Sequence, residues 1–293
     1  MVEYPFDYDS PASLAAFLEV RGLSMQKRFG QNFLVAPGVR SKIVKLLELS
    51  KNDHVWEIGP GLGAMTHMIL GLCRTITVFE IDRGFISFLR ERFSMVDGFE
   101  LVEGDVMKNW QPVYKRFGPP SLIFGNLPYN CAASFIGDLI EAEAKPRKMV
   151  FTIQKEVAER MSASPGSKRY GAFSMICAFS WDVRIAGVIK PGSFFPVPEV
   201  TSAIIEMVPH HRFSGLSAGL ASTFAKDLFA NRRKTVRNSL SGGILAARLG
   251  KNAILNAAEE AGIGLGQRGE EVSVEMVAKA CSHLTGKFAS NIL

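Results

Sequence analysis

The residues of this 293-residue chain best equipped for chemistry stand where an apolar run stops: Leu122-Ile123-Phe124-Gly125 gives way to Asn126-Leu127-Pro128-Tyr129. Such a run reads as a buried parallel strand, and ligands of open α/β sheets sit just beyond the carboxyl ends of such strands. Asn126 brings two amide donors and a carbonyl acceptor without charge, Pro128 fixes its own φ and restricts Leu127, and Tyr129 brings a flat face. Together they suit the capture of a planar ring that bears an amine.

Three further strand ends are compatible with a ligand at the same edge. Val55-Trp56-Glu57-Ile58 runs into Gly59-Pro60-Gly61-Leu62-Gly63, and an apolar helical pattern follows through Met65, Met68, Ile69 and Leu72. Glycines let backbone approach a ligand, and a helix N-terminus supplies free N–H groups, although such a turn alone is equally a tight βα loop. Glycines spaced two by two depart from the G-x-G-x-x-G dinucleotide fingerprint and count against NAD. The strand Ile76 to Phe79 ends in Glu80 and Asp82. Glu80 is placed for the hydroxyls of a ribose and Asp82 for capping the helix of Phe85, Ile86 and Leu89. The strand Phe99 to Glu103 ends at Gly104-Asp105, a further carboxylate.

The elements that must hold these ends alternate. A fifth strand, Met149 to Ile153, is followed by a helix through Val157, Ala158 and Met161, which predicts a doubly wound, mostly parallel α/β sheet. The stretch from Tyr170 to Ile189 reads as a helix and then a strand, Pro191 to Pro198 interrupts it, and Ser202 to Val208 makes a last strand, so an antiparallel edge is expected. Pro209-His210-His211-Arg212 marks a boundary, and its histidines, without a nearby acid or Cys pattern, read as linker and not as metal ligands. Helices follow, marked by Leu216, Leu220, Phe224, Leu228 and Phe229, by Ala253 to Ala261, and by Met276 to Leu284. The expected organisation is an N-terminal extension (1–24), a catalytic domain (25–209) and a small all-α C-terminal domain (210–293). Ser10 and Pro11 would open a short helix carrying Leu14, Phe17 and Leu18, and nothing in the extension's composition assigns it a function.

A chain 47% hydrophobic and 21% charged is neither disordered nor fibrous, and no apolar run approaches the roughly 18 residues of a membrane span. Glu3, Asp7 and Asp9 stand where a signal peptide would carry positive charge, which points to the cytoplasm. Cys73, Cys131, Cys177 and Cys281 are too scattered for a metal or disulfide pattern and read as reduced core thiols. A net charge of +6 permits a polyanionic partner. It is concentrated in Lys226, Arg232, Arg233, Lys234 and Arg237, opposed only by Asp227, and around Lys27 and Arg28, with Arg40, Lys42 and Lys45 beyond. Either cluster alone would read as a solvated helix face.

In combination these motifs resemble the KsgA/RsmA-type ribosomal RNA adenine dimethyltransferases, class I S-adenosylmethionine enzymes with a Rossmann-like domain. The resemblance runs from residue 25 to about 285 and rests on Gln31-Asn32-Phe33-Leu34, Glu57-Ile58-Gly59-Pro60-Gly61-Leu62-Gly63, Gly125-Asn126-Leu127-Pro128-Tyr129-Asn130, Gln154-Lys155-Glu156-Val157, Phe194-Phe195-Pro196-Val197-Pro198 and Asn231-Arg232-Arg233-Lys234-Thr235-Val236-Arg237-Asn238. Glu199 stands where a basic residue is more usual. The resemblance implies that S-adenosyl-L-methionine, the methyl donor, is held by Asn32, Leu34, Gly59, Gly61, Glu80, Asp105 and Asn126. It implies that Asn126 and the Leu127 or Pro128 carbonyl receive the target amine, between Tyr129 and Phe194. It also makes Arg232, Arg233, Lys234 and Arg237, with Lys27 and Arg28, RNA contacts. The implied substrate is a pair of adjacent adenines near the 3′ end of 16S rRNA, within an assembling 30S subunit, and the expected enzyme is a cytoplasmic monomer without metal or membrane. Two alternatives share these features: a 23S rRNA adenine methyltransferase of the antibiotic-resistance type, and an RNA-binding assembly factor with incidental catalysis.

Overall fold

The computed structural model describes residues 5–25, 31–128 and 131–289. It forms two compact units that interleave along the chain. The first holds 1–132, 146–155 and 185–207; the second holds 133–145, 156–184 and 208–293. The packing therefore does not divide at 209, where the linker composition set the expected boundary. The reason lies in bonds that sequence distance conceals. In the second unit Glu141 accepts from Ser222 Oγ (2.8 Å) and from Lys226 Nζ (2.6 Å), which ties a mid-chain helix to a C-terminal one.

The first unit opens with α1 (Pro11–Val20), whose N-cap Ser10 accepts from the Ser13 N–H and whose first residue is Pro11, as expected. After β1 (Phe33–Leu34) and α2 (Pro37–Leu47) come β2 (His54–Ile58), α3 (Thr66–Ile69), β3 (Thr75–Glu80), α4 (Arg83–Phe93), β4 (Phe99–Glu103), α5 (Val106–Phe117) and β5 (Leu122–Asn126). The expected helix beyond the glycine turn shortens to the four residues of α3. Gly63 and Gly71 bracket it, both at φ 80°, a left-handed conformation that ends helices.

Later in the chain lie α6 (Ala132–Glu141), β6 (Lys148–Gln154), α7 (Lys155–Met161), α8 (Ala172–Ser180), β7 (Trp181–Ile189), β8 (Phe194–Phe195) and β9 (Ser202–Pro209). The seven-stranded sheet has the order β4-β3-β2-β5-β6-β9-β7. The strands from β4 to β6 pair in parallel, and β9 pairs antiparallel with β6, placing Thr152 opposite Ile204. The antiparallel strand thus lies one place in from the edge, and β7 forms the edge. Val55, Trp56, Ile58, Leu122, Ile123 and Phe124 are fully buried, each such side chain contributing about 1.5–3 kcal/mol. Gly125 is required by the sheet: a Cβ there would overlap the Ile58 carbonyl. Its absence lets β5 close on β2 and brings Asn126 beside the glycine turn.

The second unit is helical. It adds to α6, α7 and α8 the helices α9 (Ala218–Phe229), α10 (Val236–Ser241), α11 (Ile244–Leu249), α12 (Lys251–Glu260) and α13 (Val274–Ala289). Asp227, the one acid in the basic segment, is buried, and its carboxylate accepts from the Ile244 and Leu245 N–H groups at the start of α11 (both 2.8 Å).

Candidate functional site

Within the first unit, a cleft of about 370 Å³ opens at the carboxyl ends of β2, β3, β4 and β5. Asn32, Leu34, Gly59, Gly61, Glu80, Asp105, Asn126 and Pro128 all line it. The structure therefore brings together residues that were singled out from four strand ends and one loop.

The glycine turn is left-handed at Gly59, Gly61 and Gly63 (φ 69°, 59° and 80°). Glu80 holds it: its Oε2 accepts the Gly61 N–H at 3.0 Å, and its Oε1 accepts those of Ile81 and Asp82, both at 2.8 Å. Only 4% exposed, Glu80 has its carboxyl pushed up to about 7 by burial, against three stabilising N–H donors. Asp82 takes the cap of α4 through the Gly84 and Phe85 N–H groups, as its position suggested. Asp105 caps α5, its Oδ1 accepting from the Met107 N–H at 2.9 Å; among the described residues its other oxygen has no partner.

Asn126 is oriented by its donor side. Its Nδ2 donates to the Asn32 carbonyl at 2.7 Å, which fixes the amide and leaves Oδ1 without a partner among the described residues. The next carbonyls differ. That of Pro128 accepts from the Cys131 and Ala132 N–H groups (both 3.2 Å), filling both lone pairs, whereas no described group donates to that of Leu127. Of the two carbonyls expected to receive an amine, Leu127 is the one with capacity. Its side chain is buried.

Several lining residues escaped the sequence reading. Phe33 and Phe85 meet at 5.5 Å in the wall, and Ile81 (40% exposed), Val106 and Met107 add apolar surface beside Asp105. Glu57 is 1% exposed beneath the turn; burial and the charge of Glu80 push its carboxyl up to about 8, although Thr66 Oγ1 donates to it at 2.6 Å. An acid inside an apolar strand was a usable signal. Cys131 lines the cleft and is not a core thiol like Cys177 and Cys281.

Phe194 requires correction. It is 1% exposed, belongs to a hydrophobic core cluster with Leu34, Ile43 and Ile189, and does not line the cleft. In the short β1–β8 ladder it pairs with Leu34, while Phe195 pairs with Phe33. Tyr129, Lys27 and Arg28 lie outside the described residues. In the second unit the basic run is not a helix face: Asn231 to Lys234 form the turn between α9 and α10. Arg232 donates from Nη2 to the Lys168 and Tyr170 carbonyls (2.9 and 2.7 Å), a structural role. Arg233, Lys234 and Arg237 are exposed.

The cleft's volume falls in the range of small-molecule sites, and its groups match a nucleoside with an amino-acid tail. Carboxylate acceptors lie at Glu80 and Asp105, apolar walls at Ile81 and Val106, and a glycine turn follows β2. With the sheet order and the antiparallel β9 inserted between β6 and β7, this defines the class I methyltransferases. Residues 22–282 match the family described as ribosomal RNA adenine dimethylase. Ribosomal RNA small subunit methyltransferase A of Treponema denticola is 44% identical over 239 residues, 80% of this chain and 82% of that protein. The protein of the same name from Borreliella afzelii is 32% identical over 95% of both chains. The chain belongs to the ribosomal RNA adenine dimethylase family. The fold is also that of a dimethyladenosine transferase from Plasmodium falciparum (TM-score 0.74, 23% identity, 86% of this chain and 97% of that one). It is likewise that of the 23S rRNA methyltransferase ErmE (TM-score 0.62, 20% identity, 86% and 99%).

Proposed function

We propose that this protein transfers methyl groups from S-adenosyl-L-methionine to the N6 amines of two adjacent adenines near the 3′ end of 16S rRNA. It does so in the cytoplasm, as a monomer acting on an assembling 30S subunit. The observation that carries the reading is Asn126: its donor is committed to the Asn32 carbonyl, so an acceptor beside a nucleoside-sized cleft is left for an amine.

The bound donor supplies an already activated methyl group on a sulfonium. Glu80 receives the ribose hydroxyls, Asp105 the adenine amine of the donor, and the backbone at Gly59 and Gly61 lies against its tail. Asn126 Oδ1 and the Leu127 carbonyl accept the two N–H bonds of the target amine. That pairing draws the nitrogen lone pair out of ring conjugation and aims it along the attack line, the dominant demand of such a transfer. Neither group is a base near neutral pH, so the proton leaves to solvent after transfer. A paired adenine cannot reach the cleft, so the target is taken from an unstacked segment, with Tyr129 as the stacking surface. Arg233, Lys234 and Arg237 contact phosphate.

The test is transfer of labelled methyl to undermethylated 30S particles, with 50S particles in parallel and the modified base mapped by primer extension. Label confined to 30S RNA near its 3′ end is expected. Label in 23S rRNA instead would assign the resistance-type activity, and particle binding without label would assign an assembly factor.

A further inference from the structure

The N-terminal segment has no part in the chemistry above, yet it is built into the first unit. Phe6, Tyr8, Leu14, Phe17 and Leu18 are buried with Val35, Leu62, Phe85 and Phe88. Phe6 meets Tyr8 edge-on at 4.7 Å and Phe17 at 4.4 Å, and Phe17 meets Phe88 at 5.3 Å. One member of this cluster, Phe85, lines the cleft, and another, Leu62, sits inside the glycine turn.

Tyr8 grips that turn twice. Its hydroxyl donates to the Leu62 carbonyl at 2.5 Å. Its ring stacks on His67, with centroids 5.0 Å apart and planes 4° apart. The His67 N–H donates to the Gly63 carbonyl at 3.1 Å, and its Nδ1 lies 3.2 Å from the same oxygen. The turn needs such a hold, because its three glycines have more backbone freedom to lose than any other residue. What the hold secures is specific: the Gly61 N–H in this turn is the one that binds Glu80 Oε2.

A second stretch of the lining is tied by the same segment. Arg40 of α2 is 4% exposed; its Nη1 donates to the Leu34 carbonyl (2.7 Å) and to the Tyr8 carbonyl (3.5 Å), and its Nη2 pairs with Asp9. Leu34 lines the cleft. Two consecutive residues, Tyr8 and Asp9, thus reach both the glycine turn and β1.

We propose that the N-terminal segment is a positioning strap for the methyl-donor cleft, with Tyr8 the positioning residue that holds the glycine turn in its donor-binding form. Asp9, through Arg40, steadies the β1 wall. The inference rests on the reading of the cleft as the donor site. A segment that only adds stability would alter the melting temperature alone, whereas a positioning strap alters donor affinity in the folded enzyme.

Tyr8→Phe keeps the stack and the apolar packing and removes only the hydroxyl, which leaves the Leu62 carbonyl buried without a partner. The full-length variant is expected to show a dissociation constant and a KM for S-adenosylmethionine raised about fivefold to tenfold. Its kcat at saturating donor should stay within about twofold of wild type. Wild-type enzyme that binds no S-adenosylmethionine by calorimetry would refute the donor-site reading itself. Wild type that binds, beside a folded Tyr8→Phe variant that binds equally well, would overturn the strap alone. If Tyr8→Phe does not fold, Asp9→Asn decides, since its side chain is half-exposed and its loss is mild. Donor binding weakened about threefold at unchanged kcat supports the strap, and unchanged binding overturns it.

Discussion

Glu80→Gln isolates the charge at the centre of the cleft. The carboxylate accepts three backbone N–H groups, from Ile81 and Asp82 on one oxygen and Gly61 on the other. Glutamine has one acceptor oxygen. Keeping it on Ile81 and Asp82 turns the side-chain NH₂ toward the Gly61 N–H, so a charge-assisted bond worth about 1.5–3 kcal/mol becomes two opposed donors. Against that loss, burial holds this carboxyl near 7 and not 4.5, so its ionised form costs the folded protein about 3 kcal/mol that glutamine does not incur. The two effects nearly cancel at pH 8, and the melting temperature should move by only a few degrees.

Donor binding should not be spared. A ribose diol brings two O–H donors to a charged acceptor, and the neutral amide should weaken S-adenosylmethionine binding by about 2–4 kcal/mol, roughly 30-fold to 1000-fold. The pH dependence follows in sign. The folded carboxyl titrates near 7, above its ordinary 4.5, so its contribution to stability is fully present below 4.5 and is lost as pH rises through 7. Donor affinity runs the other way, rising until the carboxyl is ionised. Calorimetric titrations and thermal melts between pH 5.5 and 8.5 should show both trends in wild type and a weaker version of each in Glu80→Gln. A folded variant whose dissociation constant stays within about threefold of wild type at pH 8 would refute the assignment of Glu80 to the ribose.

Asn126→Ala removes the proposed amine acceptor and should lower kcat for 30S methylation by about 100-fold or more while donor affinity changes less than about tenfold; weakened donor affinity with kcat at saturating donor unchanged would place Asn126 in donor binding only. Phe194→Ala should destabilise the protein by about 3–5 kcal/mol by chemical denaturation, as a core cavity does, and Phe194→Leu should restore most of both stability and methylation. A stable Phe194→Leu variant without activity would instead return this ring to the target base. Replacing Arg233, Lys234 and Arg237 together by Ala should weaken RNA binding and reduce the salt slope of log K by up to about 2–3, with the melting temperature unchanged. Arg232→Ala, by contrast, should lower the melting temperature by releasing the Lys168 and Tyr170 carbonyls.

The strands of the sheet were legible because buried parallel strands are short apolar runs, and each ended in a residue unlike the run. That is why the sequence alone places Glu80, Asp105 and Asn126 at one edge, and separates Asp82 from Glu80 as a helix cap. What could not be read depends on contacts between distant positions. Phe194 looks like an exposed ring beside prolines until the two-residue pairing with β1 turns it into the core. The boundary at 209 follows linker composition, whereas the packing follows Glu141, Ser222 and Lys226 across some eighty residues. Helices α10 and α11, six residues each, are too short to display a period. The basic run reads as a helix face only because the turn at Asn231 to Lys234 carries no glycine or proline.

The polar residues of the cleft share a pattern that explains how so mild a set of groups can serve a demanding transfer. Each is tied to the fold by its own hydrogen bonds and, on the proposed reading, keeps an acceptor for the ligand. Asn126 gives its N–H to Asn32 and retains Oδ1; Asp105 gives one oxygen to the Met107 N–H; Glu80 holds the glycine turn while facing the cleft. A side chain fixed in this way loses little rotamer freedom on binding, so its interaction with the ligand appears almost undiminished in affinity or rate. The same logic separates the two adjacent carbonyls: that of Pro128 is consumed by Cys131 and Ala132, leaving that of Leu127 as the proposed second acceptor beside Asn126 in the chain. Two fixed acceptors define a line for an amine lone pair, and a line is what in-line attack on an activated methyl requires. On the proposed reading, catalytic power in this site comes from orientation, and no residue in it has to be a strong base.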